Sequence, residues 1–524
     1  MGELSGSSMV RRRVSLLHYA PLLVALLVIL ADSGQRTDAD LWGHVRFGQA
    51  ALLHHGPLVT DPYSYSALGQ PWRNHEWLTE VVMALSYNGL GVFGLKLWKF
   101  ACTAATILFV VLAMAETGAS PGVQLGTLTV TSLALVMQMQ FRPQLFTFLF
   151  FAALLAILAR HNYRGKAPLW LAIPIMALWG NLHGGYIIGI GTLGAYAAVA
   201  GAQDLLSGRG WCRVWRLAAI TALGTMATLV SPYGIDNWLV VLNALRVHAL
   251  RSVVNDWQPL AHSLAAQWQA NHWGVVYYIC VLAMIAAFAG SFLLHPAGDD
   301  LPLAVIAAMM SAAAFAAVRN MPLAAIACAV PVARHMEPVL ANLRERAAAN
   351  GGHFEPPPER SEVNPWLAGA GAVALALYLG VFSAHIAIDM GYPLGAIAYM
   401  KAHHLRGNVL VNFNWGEYFI WQEPESRVFI DGRNDSVYAP AILDQYLNFY
   451  FGRDGAREVL DRYRHDFVLV PPKSKADGII AKTAGWQLLY QDGDAALFGR
   501  SNLAAAQSGG AVVTATASRA QYFP

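Results

Sequence analysis

The chain has 524 residues, of which 56% are hydrophobic and 13% charged, with a formal net charge of +3. A soluble globular chain carries roughly 25% charged residues, so this composition argues against one and for a polytopic membrane protein. The small net charge gives no footing for a nucleic-acid partner. Four scattered cysteines, Cys102, Cys212, Cys280 and Cys328, with no CxxC, exclude a disulfide framework and a cysteine zinc site.

In chain order, Arg11, Arg12 and Arg13 precede an apolar stretch from Leu16 to Ala31. This reads as an uncleaved first span rather than a signal peptide, because many spans follow and no small-x-small cleavage site does. Apolar runs of membrane-spanning length predict about eleven spans. They lie near 15–32, 92–115, 123–140, 144–160, 168–181, 184–203, 217–232, 273–294, 301–318, 321–335 and 366–388. With the N-terminus in the cytoplasm, the short inner loops collect the basic residues: Arg160, Arg164 and Lys166; Arg209, Arg213 and Arg216; Arg334, Arg344, Arg346 and Arg360. Residues 336–365 form a cytoplasmic linker, ending in the Pro-rich "FEPPPERSEVNP".

The outer side is built differently. Residues 33–91 form a first outer loop with amphipathic segments, and residues 233–272 a second large one. In these loops Trp42 and Trp77, with Trp238, Trp257 and Trp268, read as interface anchors. Residues 1–388 thus make a transmembrane domain. Residues 389–500 alternate apolar strands with helical patterns ("NVLVNF", "WGEYFIWQ", "RVFIDG", "AREVLDRYR", "DFVLVPP", "ADGIIAKTAG", "WQLLYQD", "AALFGR"), which predicts an outer α/β domain. The tail 501–524, rich in Ala, Ser, Gly and Thr, reads as disordered.

The polar residues at the outer span ends come from different spans yet share one side. Asp38 and Asp40 lie in "TDADLWGHVRFGQ"; His75 and Glu76 in "WRNHEWLTEV"; Arg142 in "MQFRPQLF"; Asn181 and His183 in "WGNLHGGY"; Tyr233 in "SPYG"; Arg319 in "AVRNMP". Charges at such depth are costly and usually face a cavity. The set predicts a cleft in which Arg142, Arg319 and His183 hold a phosphate through charged donors. A carboxylate, Asp40 or Asp38, takes a proton from an acceptor. His75, Glu76, Asn181, Tyr233 and Asp61 are candidate substrate contacts.

Each has a plainer alternative. Asp38 is placed to cap a helix starting near Ala39, and Asp40 to favour its first turn. Tyr63, Tyr65 and Trp72 either stack on a sugar or anchor at the membrane surface. "RVFIDGRNDSVY" puts Asp431, Arg433, Asn434 and Asp435 just after a strand, where α/β sheets often carry ligand sites or a charged turn. No HExxH and no Gly-rich phosphate loop occurs.

These motifs carry a resemblance. The acidic motif after the first span, the long first outer loop, the many spans and the C-terminal outer domain resemble the GT-C superfamily of polytopic membrane glycosyltransferases. That group includes protein O-mannosyltransferases, aminoarabinose transferases and oligosaccharyltransferases. More narrowly, "TDADLWGHVRFGQ", "TDPYSYSALGQPWRNHEWLTEV", "FRPQLFTF", "WGNLHGGYIIG" and "VFIDGRND" look like a group of bacterial membrane proteins described as glycosyltransferase-like. The resemblance implies an inverting sugar transfer at the outer face of the bacterial cytoplasmic membrane. It implies a polyprenyl-phosphate sugar donor and a lipid, glycan or protein acceptor. The acidic motif supplies the base or a metal ligand, which here matches Asp38 and Asp40. No cofactor is required by the residues themselves; a divalent cation is possible, since some relatives use one and others do not. Two other classes stay open: a transporter or flippase of a lipid-linked glycan, and a non-catalytic membrane protein whose outer domain binds a partner. The one-sided polar cluster weighs against transport.

Overall fold

The structure is a computed structural model and describes residues 37–208, 210–244, 255–270, 272–296, 298–349, 385–388, 391–501, 513–514 and 523. The predicted span 15–32, most of 366–388, the Pro-rich part of the linker and most of the tail lie outside the described residues.

Six helices are long and apolar enough to cross a membrane: Trp77–Ala115, Gln144–Arg164, Tyr186–Leu206, Gly274–Leu294, Gly298–Ala316 and Val318–Ala347. The spans predicted at 92–115, 144–160, 184–203, 273–294, 301–318 and 321–335 fall on them. The other described candidates fall on shorter helices, so the figure of about eleven is not reached among the described residues. The helix at Pro121–Leu135 has 15 residues and that at Trp211–Ala227 has 17. At 1.5 Å per residue each falls short of the ~30 Å hydrocarbon core.

The helices that build the site are α1 (Leu41–Leu53), α2 (Trp77–Ala115), α3 (Pro121–Leu135), α4 (Gln144–Arg164), α5 (Ala172–Leu182), α6 (Tyr186–Leu206) and α7 (Trp211–Ala227). They are followed by α8 (Asp236–Ala244), α9 (Leu260–Ala270), α10 (His272–Leu294), α11 (Leu301–Ala316) and α12 (Met321–Ala349). The last runs on past the predicted span end at 335, with Pro331 and Pro338 inside it.

Helix α2 is two helices in one. Gly91 takes φ 60 and ψ −144, which joins a loop helix to the membrane helix at the predicted boundary of the first outer loop. Only glycine occupies that region without strain of order 1–3 kcal/mol. Gly91→Val is therefore expected to lower the thermal unfolding midpoint measurably, while Gly89→Ala, in ordinary helical backbone two residues earlier, does not.

The bundle has two distinct polar ends. Glu116, at the C-terminus of α2, pairs with Arg164 (2.8 Å) and Arg160 (3.7 Å) at the C-terminal end of α4. Arg213 pairs with Asp204 (3.7 Å) and Arg334 with Asp299 (3.7 Å). Arg142 lies before the N-terminal end of α4, some 30 Å away by helix rise, and Glu76, before α2, lies in its electrostatic neighbourhood. The basic clusters and the candidate site therefore occupy opposite ends.

The C-terminal domain follows the predicted alternation. Its elements are α13 (Leu394–Ala402), β1 (Asn408–Val411), α14 (Gly416–Gln422), β2 (Arg427–Val428), α15 (Pro440–Phe451), α16 (Glu458–Arg462), β3 (Phe467–Val470), α17 (Lys475–Ile480), β4 (Trp486–Gln491), β5 (Ala496–Arg500) and β6 (Val513–Thr514). The sheet order is β2-β1-β3-β5-β4-β6. β1 is parallel to β2 and β3, and β5 is antiparallel to β3 and β4. β3 is buried along its whole length, as a central strand covered on both faces should be.

The first loop is the seat of this domain. Trp42, read as an interface anchor, is instead fully buried among Tyr392, Tyr418 and Phe523. Tyr63 and Trp72 line a pocket around the Arg433 guanidinium, with centroids at 5.3 and 4.7 Å. Tyr65 meets His465. These rings bind domain to loop and are not free for a sugar.

Candidate active site

The site starts where α1 starts. The helix opens at Leu41, so Asp40 rather than Asp38 takes the N-cap position, and its side chain makes no capping bond. Asp38 accepts the Asp40 backbone N–H at 3.1 Å, which turns the chain before the helix. Both aspartates then face Arg142, which the tight "FRPQ" turn presents just before α4. The Arg142 guanidinium lies 3.7 Å from Asp38, 3.4 Å from Asp40 and 2.8 Å from Asp256. Three carboxylates around one guanidinium stabilise its charge, so the Arg142 pKa is raised, with Asp38 the largest contributor.

Asp40 is displaced in the other direction. Burial and the neighbouring Asp38 outweigh Arg142 and push its carboxyl up to about 7. A carboxyl that titrates near neutrality is suited to take up a proton.

One turn along α1, His44 sits 3.4 Å from Glu80, which also accepts from Asn74. Beside them Glu76 lies 3.4 Å from His183 Nε2 and 3.6 Å from His75 Nε2. His183 Nδ1 accepts the Gly185 N–H at 3.1 Å and meets the Thr147 hydroxyl at 2.7 Å. Thr147 in turn accepts from Trp179 Nε1 at 3.0 Å. With Nδ1 accepting, the proton of a neutral ring sits on Nε2 and points at Glu76. Burial, then the nearby cations, hold His183 down to about 3, so the ring is neutral. Gly185 is required here, since a Cβ would lie 2.2 Å from the Thr147 hydroxyl.

Arg319 is held differently from Arg142. Its guanidinium stacks on Trp257 at 4.2 Å, and it makes no ion pair among the described residues. Trp257 follows Asp256, so this one short turn holds both arginines. The stack fixes the guanidinium plane and leaves its donors for an anion.

The structure thus joins Asp38, Asp40, His75, Glu76, Arg142, His183 and Arg319. It does not bring Asp61 to them. Asp61 is buried and accepts from Tyr63 N (2.8 Å), Ser64 and Arg433 Nη1 (2.7 Å), so it ties loop to domain. Asn181 is likewise spent: it accepts from Trp77 Nε1 at 3.1 Å and donates to the carbonyls of Ala177 (2.9 Å) and Val230 (2.6 Å). Tyr233 lies half-buried in the turn before α8, where its carbonyl accepts from Asp236 at 3.0 Å.

Four further residues belong to the site. His44 and Glu80 had a signal in the sequence, at i+4 from Asp40 and from Glu76 on helices. Asp256 and Glu417 had none. Glu417 reaches the cluster from α14. A Cβ built on Gly432 would lie 2.3 Å from Asp40 Oδ1 and 2.7 Å from Glu417 Oε1, so the "DGR" turn of the C-terminal domain abuts the acidic motif of the first loop. Among the described residues no group of three or more His, Cys, Asp or Glu side chains is arranged to hold a metal. Asp38 and Asp40 turn to Arg142 instead, which does not fit a cation site.

A helical bundle capped by an α/β domain, with an acidic first-loop motif between them, is a fold this chain shares with a solved oligosaccharyltransferase. The chain is similar to the oligosaccharyltransferase of Archaeoglobus fulgidus in its apo form, with TM-score 0.57 and 12% identity over 87% of this chain and 69% of that one. It is similar also to the same enzyme, AglB, in complex with an inhibitory peptide and a dolichol-phosphate, with TM-score 0.55, 13% identity and the same coverage, 87% and 69%. At these identities the likeness establishes the fold. No protein-family model matches the chain, and no curated protein matches it significantly.

Proposed function

We propose that this protein is a membrane glycosyltransferase that moves a sugar from a polyprenyl-phosphate-linked donor to an acceptor, at the membrane face that carries the α/β domain. The observation that carries this reading is Asp40, a carboxyl pushed up to about 7, paired with Arg142, with the guanidinium of Arg319, unpaired among the described residues, in the same cluster, in a fold for which a solved structure holds a dolichol-phosphate. Asp40 takes the proton from the acceptor as the acceptor attacks the anomeric carbon. The bond from that carbon to the phosphate oxygen breaks, and the polyprenyl phosphate leaves as an anion held by Arg319 and Arg142. His183 keeps Glu76 in place through its Nε2–H, and Glu76 and His75 line the acceptor side. The face is the outer one of the cytoplasmic membrane, because the basic clusters mark the opposite end as cytoplasmic.

Mass spectrometry of polyprenyl-phosphate sugars and envelope glycans, with and without the gene, tests the reading. Loss of the gene is expected to let the lipid-linked sugar accumulate and one glycan signal disappear. Movement of a lipid-linked sugar across liposomes with no new glycosidic bond would contradict it. Within the site, Arg319→Ala is expected to raise KM for the donor by ~10- to 100-fold, the worth of one charged hydrogen-bonded contact. The kcat at saturating donor should change much less. An unchanged KM would remove Arg319 from phosphate binding.

A further inference from the structure

Glu417 is a buried carboxyl with unusual surroundings. It is 3% exposed, and its Oε2 has no hydrogen-bond partner among the described residues. Two glycines make room for it. A Cβ on Gly43 of α1 would lie 1.9 Å from Oε2, and one on Gly432 would lie 2.7 Å from Oε1. That second point is also 2.3 Å from Asp40 Oδ1, so a single missing methyl separates the two carboxyls.

The local cation, Arg433, offsets Glu417 only in part. Arg433 spends its donors on Asp431, at 2.8 and 2.6 Å, and on Asp61, at 2.7 Å. The other ionisable groups around the pair are Asp38 before α1, His44 on α1, Glu76 and Glu80 at the start of α2, Arg142 before α4, and Asp431 after β2. Carboxylates dominate that set. Two carboxyls so close, Glu417 buried and Asp40 with its side chain 24% exposed, do not both ionise. Burial, then Asp40 and Asp431, raises the Glu417 carboxyl well above its usual range.

We propose that Asp40 and Glu417 form a carboxyl pair holding one proton across Gly432, with Glu417 the protonated member. Glu417 is then a positioning residue for the base, and the α/β domain completes the active site rather than merely capping it. The inference rests on the reading of Asp40 as the base. In the resting pair, Glu417 donates its O–H toward Asp40, which leaves Asp40 ionised. During transfer the acceptor's proton passes to Asp40, and the doubly protonated pair then releases one proton to water.

Two kinds of measurement on the full-length protein test this. Infrared spectroscopy at a pH above the acidic limb, where Asp40 is ionised in both proteins, is expected to show a protonated-carboxyl band that Glu417→Gln removes. That readout needs no activity. Absence of the band in the wild type, or its persistence in the variant, would overturn the pairing.

The pH profile of transfer is expected to be bell-shaped in the wild type. In Glu417→Gln the alkaline limb should vanish and the acidic limb move up by about one unit, because the amide is a weaker donor to Asp40. Gly432→Ala, which drives a methyl between the carboxyls with Glu417 intact, should give the same profile and covers the case where Glu417→Gln does not fold. Profiles that superimpose on the wild type after scaling would reduce Glu417 to packing. If no polyprenyl-phosphate donor is turned over at all, the glycosyltransferase reading fails while the infrared band still decides the pairing.

Discussion

Asp40→Asn is expected to lower sugar transfer by ~10²–10⁴-fold, the usual contribution of a general base. The amide keeps the shape of the side chain and its contact with Arg142, so expression and the thermal unfolding midpoint should change little. Asp38→Asn should cost far less. Asp38 accepts the Asp40 N–H and a longer, 3.7 Å approach from Arg142, and an amide oxygen can still accept that N–H. The wild-type profile carries the matching sign. The proposed base has to be ionised to act, and Asp40 is pushed up to about 7, so transfer is expected to fall as pH drops through that value. In Asp40→Asn the acidic limb should disappear with the rate. Full activity in both asparagine variants, normally inserted, would sink the assignment.

Arg433→Met is expected to destabilise the seat of the α/β domain by about 3–5 kcal/mol, the cost of leaving buried carboxylates without their cation. Arg433 and Asp61 have side chains only 4% and 0% exposed, and Asp431 is buried with them. Removing the guanidinium also empties the space against Trp72 and Phe47, at 4.7 and 5.2 Å. Limited proteolysis and thermal unfolding should both report early release of the domain. Adding Asp61→Asn to Arg433→Met should recover part of the loss, since one uncompensated charge goes. Transfer should fall as well, because the same turn sets Gly432 against Asp40. A variant with wild-type stability would show that the rings, and not the ion pair, hold the domain.

Much of the architecture was legible along the chain. Six of the predicted spans lie on helices of membrane-crossing length, because a run of twenty apolar residues has few other soluble arrangements. The α/β alternation from "NVLVNF" to "AALFGR" was readable for the same reason, since period and breaker residues are local properties. The spans placed at 123–140 and 217–232 fall on the shorter helices Pro121–Leu135 and Trp211–Ala227, because hydropathy does not count the turns that end a helix early.

The sequence by itself determined the membrane class, the two polar ends of the bundle and the acidic motif with its arginines. It determined them because charge, hydropathy and spacing act within a window of a few residues. Only the tertiary structure decided what those charges do. It sent Asp61 to Arg433 and the rings of the first loop to the domain, and it stacked Arg319 on Trp257. It also brought Glu417, 377 positions along the chain from Asp40, to the far side of one glycine. Contacts of that kind depend on how two surfaces close over each other, and no local pattern encodes the closing.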